Sequence, residues 1–419
     1  MIRELCSRFG IDGSLRDAAF AAYERTARLE YRPQQTVALN VLQAFADEGL
    51  VESDFAGSTG YGYDDPARAR YESLLARVLG AERAIARISI VSGTHAIAAS
   101  LAACTPSQQT LLSISGPPYD TLRNAICEAP HSLVAEGIEY AEIALGSDGG
   151  IDLTEVSDAL GRRDVATAFI QRSRGYAPRR ALSVEECERA VATIKRIAPQ
   201  TLVLVDNCYG ELVEEREPAG ADLMMGSLIK NLGGSLAPAG GYVAGRSDLV
   251  ERVASRLYAP GLGAALGPSL GYGRALCHGL FVAPLIVEQC LRGLDFIAAL
   301  FEELGYRVEP RAGTRRSDIV QAIALGSPDL LQRFAQGLQA ALPVNARFRP
   351  VPGPVPGYAD PVLMSSGSFV SGATLELSCD APVRPPYEVY VQGGLSAAHA
   401  YTGALSAARA VSQGSRPIP

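Results

Sequence analysis

Apolar and charged stretches alternate through the middle of the chain. The continuous apolar runs are 110–115, 165–171, 201–206, 221–225 and 241–244. Such runs are typical of parallel strands that are buried on both faces. Charged stretches with helical spacing, such as Ser183 to Ile197, lie between them. The alternation predicts an α/β domain built on a mostly parallel sheet.

Helical spacing dominates the regions on either side of this pattern. Residues 13–52 are rich in alanine and carry apolar residues at helical positions, and a second apolar stripe runs from Val287 to Phe301 at steps of three and four. Such stripes predict amphipathic helices. We therefore expect an N-terminal helical arm over 1–55, a large domain over 56–285 and a small α+β domain over 286–419.

Composition limits the kinds of molecule and surface that the chain is expected to bind. The 419 residues carry a net charge of -7, which argues against nucleic acid because its phosphates attract basic surfaces. No run of about 18 apolar residues occurs, and the N-terminus lacks the apolar core of a signal peptide. The eight cysteines show no short paired spacing that would indicate zinc or a redox dithiol. We expect a cytoplasmic protein with reduced cysteines, no metal site and no membrane contact.

Two charged residues stand where apolar runs end. Asp206 closes the run that begins at Thr201, and Lys230 follows the run that begins at Ala221 and precedes a glycine-rich turn. A lysine in apolar surroundings has a lowered pKa, and an unprotonated amine attacks carbonyl groups. The pair is typical of a pyridoxal phosphate enzyme, in which Lys230 forms the Schiff base and Asp206 keeps the pyridine nitrogen protonated. The ordinary alternatives are that Lys230 lies on the surface at a helix end and that Asp206 is the N-cap of a helix.

Motifs along nearly the whole chain resemble one family. They are Tyr61–Asp65, Val91–Ala96, Pro118–Thr121, Gln171–Tyr176, Val205–Glu211, Gly226–Asn231, Ala259–Gly261, Gly279–Pro284, Pro356–Asp360 and Gln392–Gly394. Together they resemble the bacterial methionine gamma-lyase family, which is often labelled aluminium resistance protein. The resemblance implies pyridoxal phosphate and an aspartate-aminotransferase-like fold, with a seven-stranded type of sheet and a smaller α+β domain.

A phosphate group needs backbone N–H donors and hydroxyls at the start of a helix. Ser92, Gly93 and Thr94 precede a small-residue helix and supply these groups, and Ser227 adds a hydroxyl three residues before Lys230. The triplet is also an ordinary capped turn. His95 belongs to the same motif, and we expect it to cap or pack beside this loop.

The resemblance implies roles for three tyrosines. Tyr119 corresponds to the aromatic residue that stacks on the cofactor ring and passes a proton to the leaving group, although packing in a loop is the ordinary alternative. Tyr61 and Tyr63 correspond to a segment that crosses to a neighbouring subunit and touches the phosphate there. The chain is therefore expected to form a homo-oligomer, a dimer or tetramer, with shared active sites.

An arginine is expected for the substrate carboxylate, because the planar guanidinium matches its geometry. Arg384 lies where the superfamily keeps this residue. Arg172 and Arg174 compete for the role, since they follow a predicted strand that faces the cofactor. The choice among the three stays open.

The resemblance implies γ-elimination from a methionine-like L-amino acid, with Lys230, Tyr119 and Asp206 as the catalytic residues. The family usually continues after the lysine with Asn-Pro-Gly-Gly-Gly, whereas this chain has leucine at 232 and serine at 235, and Tyr258 replaces a more usual threonine. These changes also allow a specialised substrate, such as a γ-halogenated unsaturated amino acid that would give an alkyne.

Three alternatives remain. Within the same chemistry, β-elimination from cysteine-type substrates is the nearest alternative, and transamination is disfavoured because nothing identifies a site for a second acid. From another class, a non-catalytic protein of this fold could act in metal stress or regulation. An intact Lys230 and Asp206 argue against that last reading.

Overall fold

The computed structural model describes residues 1–218 and 220–413. The α-helices in that part are α1 Ile2–Arg8, α2 Gly13–Thr26, α3 Arg32–Glu48, α4 Pro66–Leu79, α5 Gly93–Cys104, α6 Asp120–Arg123, α7 Leu153–Arg162, α8 Val184–Ile197, α9 Ser247–Leu257, α10 Gly273–Glu303, α11 Pro328–Gln339 and α12 Ala397–Gln413. The strands are β1 Arg83–Arg87, β2 Thr110–Ser113, β3 Glu139–Glu142, β4 Val165–Gln171, β5 Leu202–Asp206, β6 Leu223–Ser227, β7 Gly241–Gly245, β8 Arg307–Glu309, β9 Val320–Ala324, β10 Val362–Ser366, β11 Ser378–Pro382 and β12 Glu388–Gln392. Each of the five predicted apolar runs forms a strand.

The backbone groups into two units. Among the described residues, unit 1 contains 1–34, 175–180 and 285–413, and unit 2 contains 35–174, 181–218 and 220–284. The residues of the expected arm, 1–55, are thus divided between the units. The three-part domain division drawn from the sequence stays a prediction.

Unit 2 holds a seven-stranded sheet in the order β1-β7-β6-β5-β4-β2-β3. The neighbouring strands β6, β5, β4, β2 and β3 pair in parallel. Strand β7 runs antiparallel to both β6 and β1. Gln171 pairs with Asp206, and Asp206 pairs with Met225. The carboxyl ends of β4, β5 and β6 therefore meet at one edge. The predicted mostly parallel sheet is confirmed.

Unit 1 holds a five-stranded antiparallel sheet in the order β10-β11-β12-β9-β8. Helices α11 and α12 belong to the same unit, so the predicted smaller α+β region is confirmed. The helix that carries the stripe from Val287 to Phe301 begins earlier than the stripe, at Gly273, and continues through Pro284.

Local sequence signals set where several helices begin. Ser183 and Glu186 form a capping box at α8, and the Asp65 carboxylate accepts the Arg68 N–H at the start of α4. Such caps satisfy N–H groups that lack a partner within the helix. At α5 the cap is Ser92, whose hydroxyl accepts the His95 N–H. The cap of α5 places the Ser92–Thr94 triplet at a helix N-terminus, as predicted. Among the described residues, no helix is long and apolar enough to cross a membrane.

Candidate active site

Lys230 lies three residues beyond the end of β6. Its Nζ donates a hydrogen bond to the Tyr209 hydroxyl at 3.1 Å and lies 4.5 Å from the centre of the Tyr209 ring. The side-chain amide of the next residue, Asn231, donates to the backbone carbonyls of Tyr209 and Glu211 at 3.0 and 2.8 Å. The turn after β6 is therefore fastened to the loop after β5, which brings the lysine amine to the carboxyl edge of the sheet.

Asp206 ends β5 at the same edge. Its side chain is buried, and its Oδ1 accepts the Cys208 N–H at 3.1 Å. Burial, followed by the charges of Asp206 and Glu211, raises the pKa of the Cys208 thiol well above its ordinary value, while Lys230 acts in the opposite direction. The thiol stays protonated at neutral pH, so Cys208 lines the site without serving as a nucleophile.

Tyr119 is the N-cap residue of the short helix α6 and is held at two points. Its N–H donates to the Gln171 side-chain oxygen at 2.8 Å, and its hydroxyl lies 2.8 Å from the Thr94 hydroxyl. Burial, and after it the Asp206 carboxylate, raises the pKa of Tyr119 well above its ordinary value. The phenol therefore remains protonated at neutral pH and can give a proton but cannot accept one there.

The helix N-terminus at Gly93 lies against the end of β6. A Cβ at Gly93 would stand 3.2 Å from the Ser227 Cβ and 3.3 Å from the Cys208 Sγ, which is tighter than most van der Waals contacts. Glycine thus permits the approach of α5 to β5 and β6. The Ser227 hydroxyl is buried and reaches the Gly240 carbonyl at 3.4 Å. Backbone N–H groups and the hydroxyls of Thr94 and Ser227 meet here, a donor set suited to a phosphate.

The arginines differ in their surroundings. Arg172 is fully buried, and its guanidinium pairs with Glu214 at 2.8 Å and Glu217 at 3.3 Å. These contacts favour a structural role for Arg172 over the predicted substrate role. Arg174 is buried as well, two residues further on. Arg384 belongs to unit 1, where it pairs with Asp360 at 3.3 Å.

Tyr61 and Tyr63 are exposed by 76% and 53%, and their rings lie 6.0 Å apart. The segment that carries them is fixed at its base, because the Gly62 carbonyl accepts a hydrogen bond from Arg68 and the Tyr61 carbonyl accepts the Gly267 N–H. Two aromatic rings are thus held out from unit 2, as a contact between subunits would require.

Tyr209 is a site residue that the sequence reasoning missed, as it missed Cys208 and Gln171. It stands three residues after Asp206 and adopts a left-handed conformation with φ of 69°. Its position just beyond a strand that delivers a carboxylate was the available signal, since strand-end loops in α/β proteins carry binding residues. Within the described residues, no cluster of His, Cys, Asp and Glu side chains could hold a metal ion.

The donor set fits the phosphate, the ring nitrogen and the aldehyde of pyridoxal phosphate. The N-terminus of α5 and its hydroxyls suit the phosphate, the strand-end Asp206 suits the ring nitrogen, and the Lys230 amine suits the aldehyde. A lysine and an aspartate at the carboxyl edge of a mostly parallel seven-stranded sheet define the class of aspartate-aminotransferase-like pyridoxal phosphate enzymes.

The chain belongs to the methionine gamma-lyase family, whose model matches residues 15–412. The predicted family, fold and cofactor are thereby confirmed. It is similar to a candidate cystathionine beta-lyase involved in aluminum resistance from Clostridium acetobutylicum, with 36% identity, 98% of each chain covered and a TM-score of 0.93. A carbon-sulfur lyase involved in aluminum resistance from Clostridium novyi NT is 36% identical, with 97% of this chain and 98% of that one covered and a TM-score of 0.91. The uncharacterized protein YnbB of Bacillus subtilis is 41% identical over 89% of this chain and 90% of its own length.

Proposed function

We propose that this member of the methionine gamma-lyase family is a cytoplasmic enzyme that eliminates a γ-substituent from an L-amino acid. With a methionine-like substrate the products are a thiol, ammonia and 2-oxobutanoate. The observation that carries the proposal is the meeting of the Lys230 amine, the Asp206 carboxylate and the protonated Tyr119 phenol at one sheet edge. Each group has a separate task in such an elimination.

When bound, pyridoxal phosphate supplies a ring that accepts negative charge from the substrate Cα. Asp206 holds a proton on the ring nitrogen, because a buried carboxylate stabilises an adjacent positive charge. The Lys230 amine would remove the proton from Cα and, once it has given that proton up, would be free to remove one from Cβ. Tyr119 would donate its phenolic proton to the departing γ group, and its raised pKa keeps that proton in place until then.

The phosphate is assigned to the N-terminus of α5, with Ser92, Gly93, Thr94 and Ser227. The substrate carboxylate is assigned to Arg384 or Arg174. Arg172 is set aside because it is fully buried between two glutamates, whereas the side chain of Arg384 is partly exposed. Changing Arg384 or Arg174 to lysine should raise KM more than it lowers kcat, because carboxylate binding is made in the ground state as well. A change in kcat alone would remove that residue from the substrate site.

A β-eliminating lyase is the second candidate, and the candidate cystathionine beta-lyase among the similar structures favours it. The two reactions differ at Cβ, since γ-elimination removes a proton there and β-elimination does not. In heavy water, the enzyme should place deuterium on both Cα and Cβ of an unreactive substrate analogue. Exchange confined to Cα, with turnover of cysteine-type substrates and none of γ-substituted ones, would establish β-elimination instead.

A substrate screen tests the remaining alternatives. Methionine, homoserine derivatives, cysteine and γ-chlorinated unsaturated amino acids should be compared, with ketoacid, ammonia and retained-amine products all measured. Turnover of the γ-chlorinated compound alone, with an alkyne as product, would establish the specialised carbon–halogen substrate. No turnover of any compound by cofactor-loaded protein would favour a non-catalytic role in metal stress or regulation.

We also propose that the enzyme is a homo-oligomer with active sites shared between subunits, as a dimer or tetramer. The exposed Tyr61 and Tyr63 support this proposal. Mixing an inactive Lys230→Ala chain with an inactive Tyr61→Phe/Tyr63→Phe chain should restore part of the activity, because hybrid oligomers contain some intact sites. Hybrids confirmed by mass that stay inactive would show that each site is built from one chain.

A further inference from the structure

We propose that Arg172 is a positioning residue that holds the loop 207–217 so that Tyr209 meets the Lys230 amine. The inference rests on the proposed function in one respect, namely that Lys230 is the lysine that binds the cofactor. It gives Arg172 a task different from binding the substrate carboxylate.

Arg172 follows β4 directly and is tied to β5 by its backbone. Its N–H donates to the Asp206 carbonyl at 3.1 Å, and its side chain is fully buried. The guanidinium donates to the Asn207 side-chain oxygen at 2.7 Å and to the Gly210 carbonyl at 3.0 Å, beside its ion pairs with Glu214 and Glu217. One side chain thus contacts four residues of the same loop.

The two glutamates pass this restraint on to the backbone. Glu217 accepts the Leu212 N–H at 2.8 Å and the Asn207 side-chain amide at 2.7 Å, and Glu214 accepts the Val184 N–H at 2.9 Å. A Cβ at Gly210 would lie 2.6 Å from the Arg172 Nη1, so the loop is packed directly on the guanidinium. Glycine at 210 is therefore part of the same arrangement.

The loop needs such a restraint because two of its residues are strained. Tyr209 and Leu212 adopt left-handed conformations with φ of 69° and 62°. This conformation is unfavourable for a non-glycine residue and persists where the surroundings fix it. In this conformation the Tyr209 hydroxyl accepts the hydrogen bond from Lys230. The planar, multiply donating guanidinium suits this task, and an ammonium group cannot reach the same four acceptors.

The test is the pH dependence of cofactor association with cofactor-free protein, followed by visible absorbance. The reaction requires the unprotonated Lys230 amine, which contacts Tyr209 and acts electrostatically on the Cys208 thiol. A hydrogen bond to the charged amine favours its protonated form, so losing the Tyr209 contact should lower the midpoint of the pH profile. Arg172→Lys and Tyr209→Phe should each lower it by about one pH unit. The double variant should show no further shift.

Arg316→Lys is the matched control. Arg316 is another buried arginine, paired with Asp295 at 3.0 Å in unit 1. Its variant should lose stability in thermal unfolding while keeping the wild-type midpoint. If Arg172→Lys yields no folded protein, Glu217→Gln can be tested in its place. It should lower the midpoint of the pH profile as well, by a smaller amount.

Two results overturn the inference. The first is a folded Arg172→Lys protein that is as destabilised as the Arg316→Lys control but keeps the wild-type midpoint of the pH profile. The second is a double variant, Arg172→Lys with Tyr209→Phe, in which the two shifts of the midpoint add. A failure of the proposed function gives a result different from a failure of this inference. Cofactor that attaches to another lysine in the wild type defeats the site assignment, whereas attachment to Lys230 with an unshifted Arg172→Lys profile defeats this inference alone.

Discussion

Two buried polar clusters, one around Asp295 in unit 1 and one around Lys230 in unit 2, differ in the chemical groups that they bring together. In unit 1, Asp295 accepts hydrogen bonds from Arg316 at 3.0 Å and from the Tyr31 hydroxyl at 2.6 Å, and Arg316 also donates to Gln321. This cluster joins a helix to residues near a sheet and neutralises its charge within itself. In unit 2, different chemical groups from three loops meet at the ends of parallel strands. Both clusters bury charged groups, and the convergence of an amine, a carboxylate and a phenol distinguishes the proposed active site.

Removal of the amine should have the largest effect. Lys230→Ala should lower kcat/KM by at least about 10⁴-fold, because it removes both the attachment of the cofactor and the base that moves substrate protons. The melting temperature of the cofactor-free protein should stay close to that of the wild type. Residual turnover above about 1% of wild type would assign the base to another residue.

Loss of the strand-end carboxylate comes next. Asp206→Asn should retain the cofactor and lower kcat by about 10²–10³-fold, because the ring nitrogen is no longer held protonated. Cofactor content and steady-state rates measured on the same preparation separate binding from chemistry. Wild-type turnover in this variant would contradict the assignment of Asp206.

A substitution in the Asp295 cluster should lower the stability of the protein and leave its activity unchanged. Asp295→Asn leaves the Arg316 guanidinium buried without its counter-charge, which should cost about 3–5 kcal/mol of the free energy of unfolding. Measured well below its melting temperature, the folded variant should keep the wild-type kcat. A large fall in kcat at unchanged stability would remove the contrast between the two clusters.

Glu211 gives the smallest effect and a defined pH dependence. Burial, and then the charge of Glu217, raises the pKa of Glu211 well above its ordinary value. The folded protein therefore holds this proton more tightly than the unfolded chain does, so ionisation costs stability as pH rises above about 4.3, the unfolded pKa. Glu211→Gln should raise the melting temperature at pH 8 by about 3 °C, as ~1 kcal/mol does in domains of this size. The gain should disappear below about pH 4.

Glu217→Gln is the control for that experiment. This glutamate belongs to the same loop but pairs with Arg172, so its replacement should lower the melting temperature at pH 8. Equal changes in both variants would show that the loop responds to any substitution and not to the charge at 211.

The sequence predicted those parts of the fold and site that depend on local pattern. Apolar runs identified five of the seven strands of the large sheet, although β7 proved to be antiparallel to its neighbours. Charged residues at the ends of two runs led to the assignments of Asp206 and Lys230, which stay predictions. Strand β1 was missed because its ends are Arg83 and Arg87, and its pairing with β7 lies more than 150 residues away along the chain.

Contacts distant in sequence explain the remaining differences. Arg172 resembles a substrate-binding residue until Glu214 and Glu217, more than 40 residues later, close around its guanidinium. Tyr209 could be placed beside Lys230 only when its left-handed backbone was known. Long-range packing therefore decides which polar residues near a strand end remain available for a ligand.

The central claim is that Lys230 carries the cofactor. Reduction of the cofactor-loaded protein with borohydride should fix pyridoxal phosphate covalently, and peptide mapping by mass spectrometry should find the adduct on Lys230. Lys195, which pairs with Asp222 at 2.6 Å outside the site, is an internal control and should stay unmodified. An adduct on any lysine other than Lys230 would contradict the account.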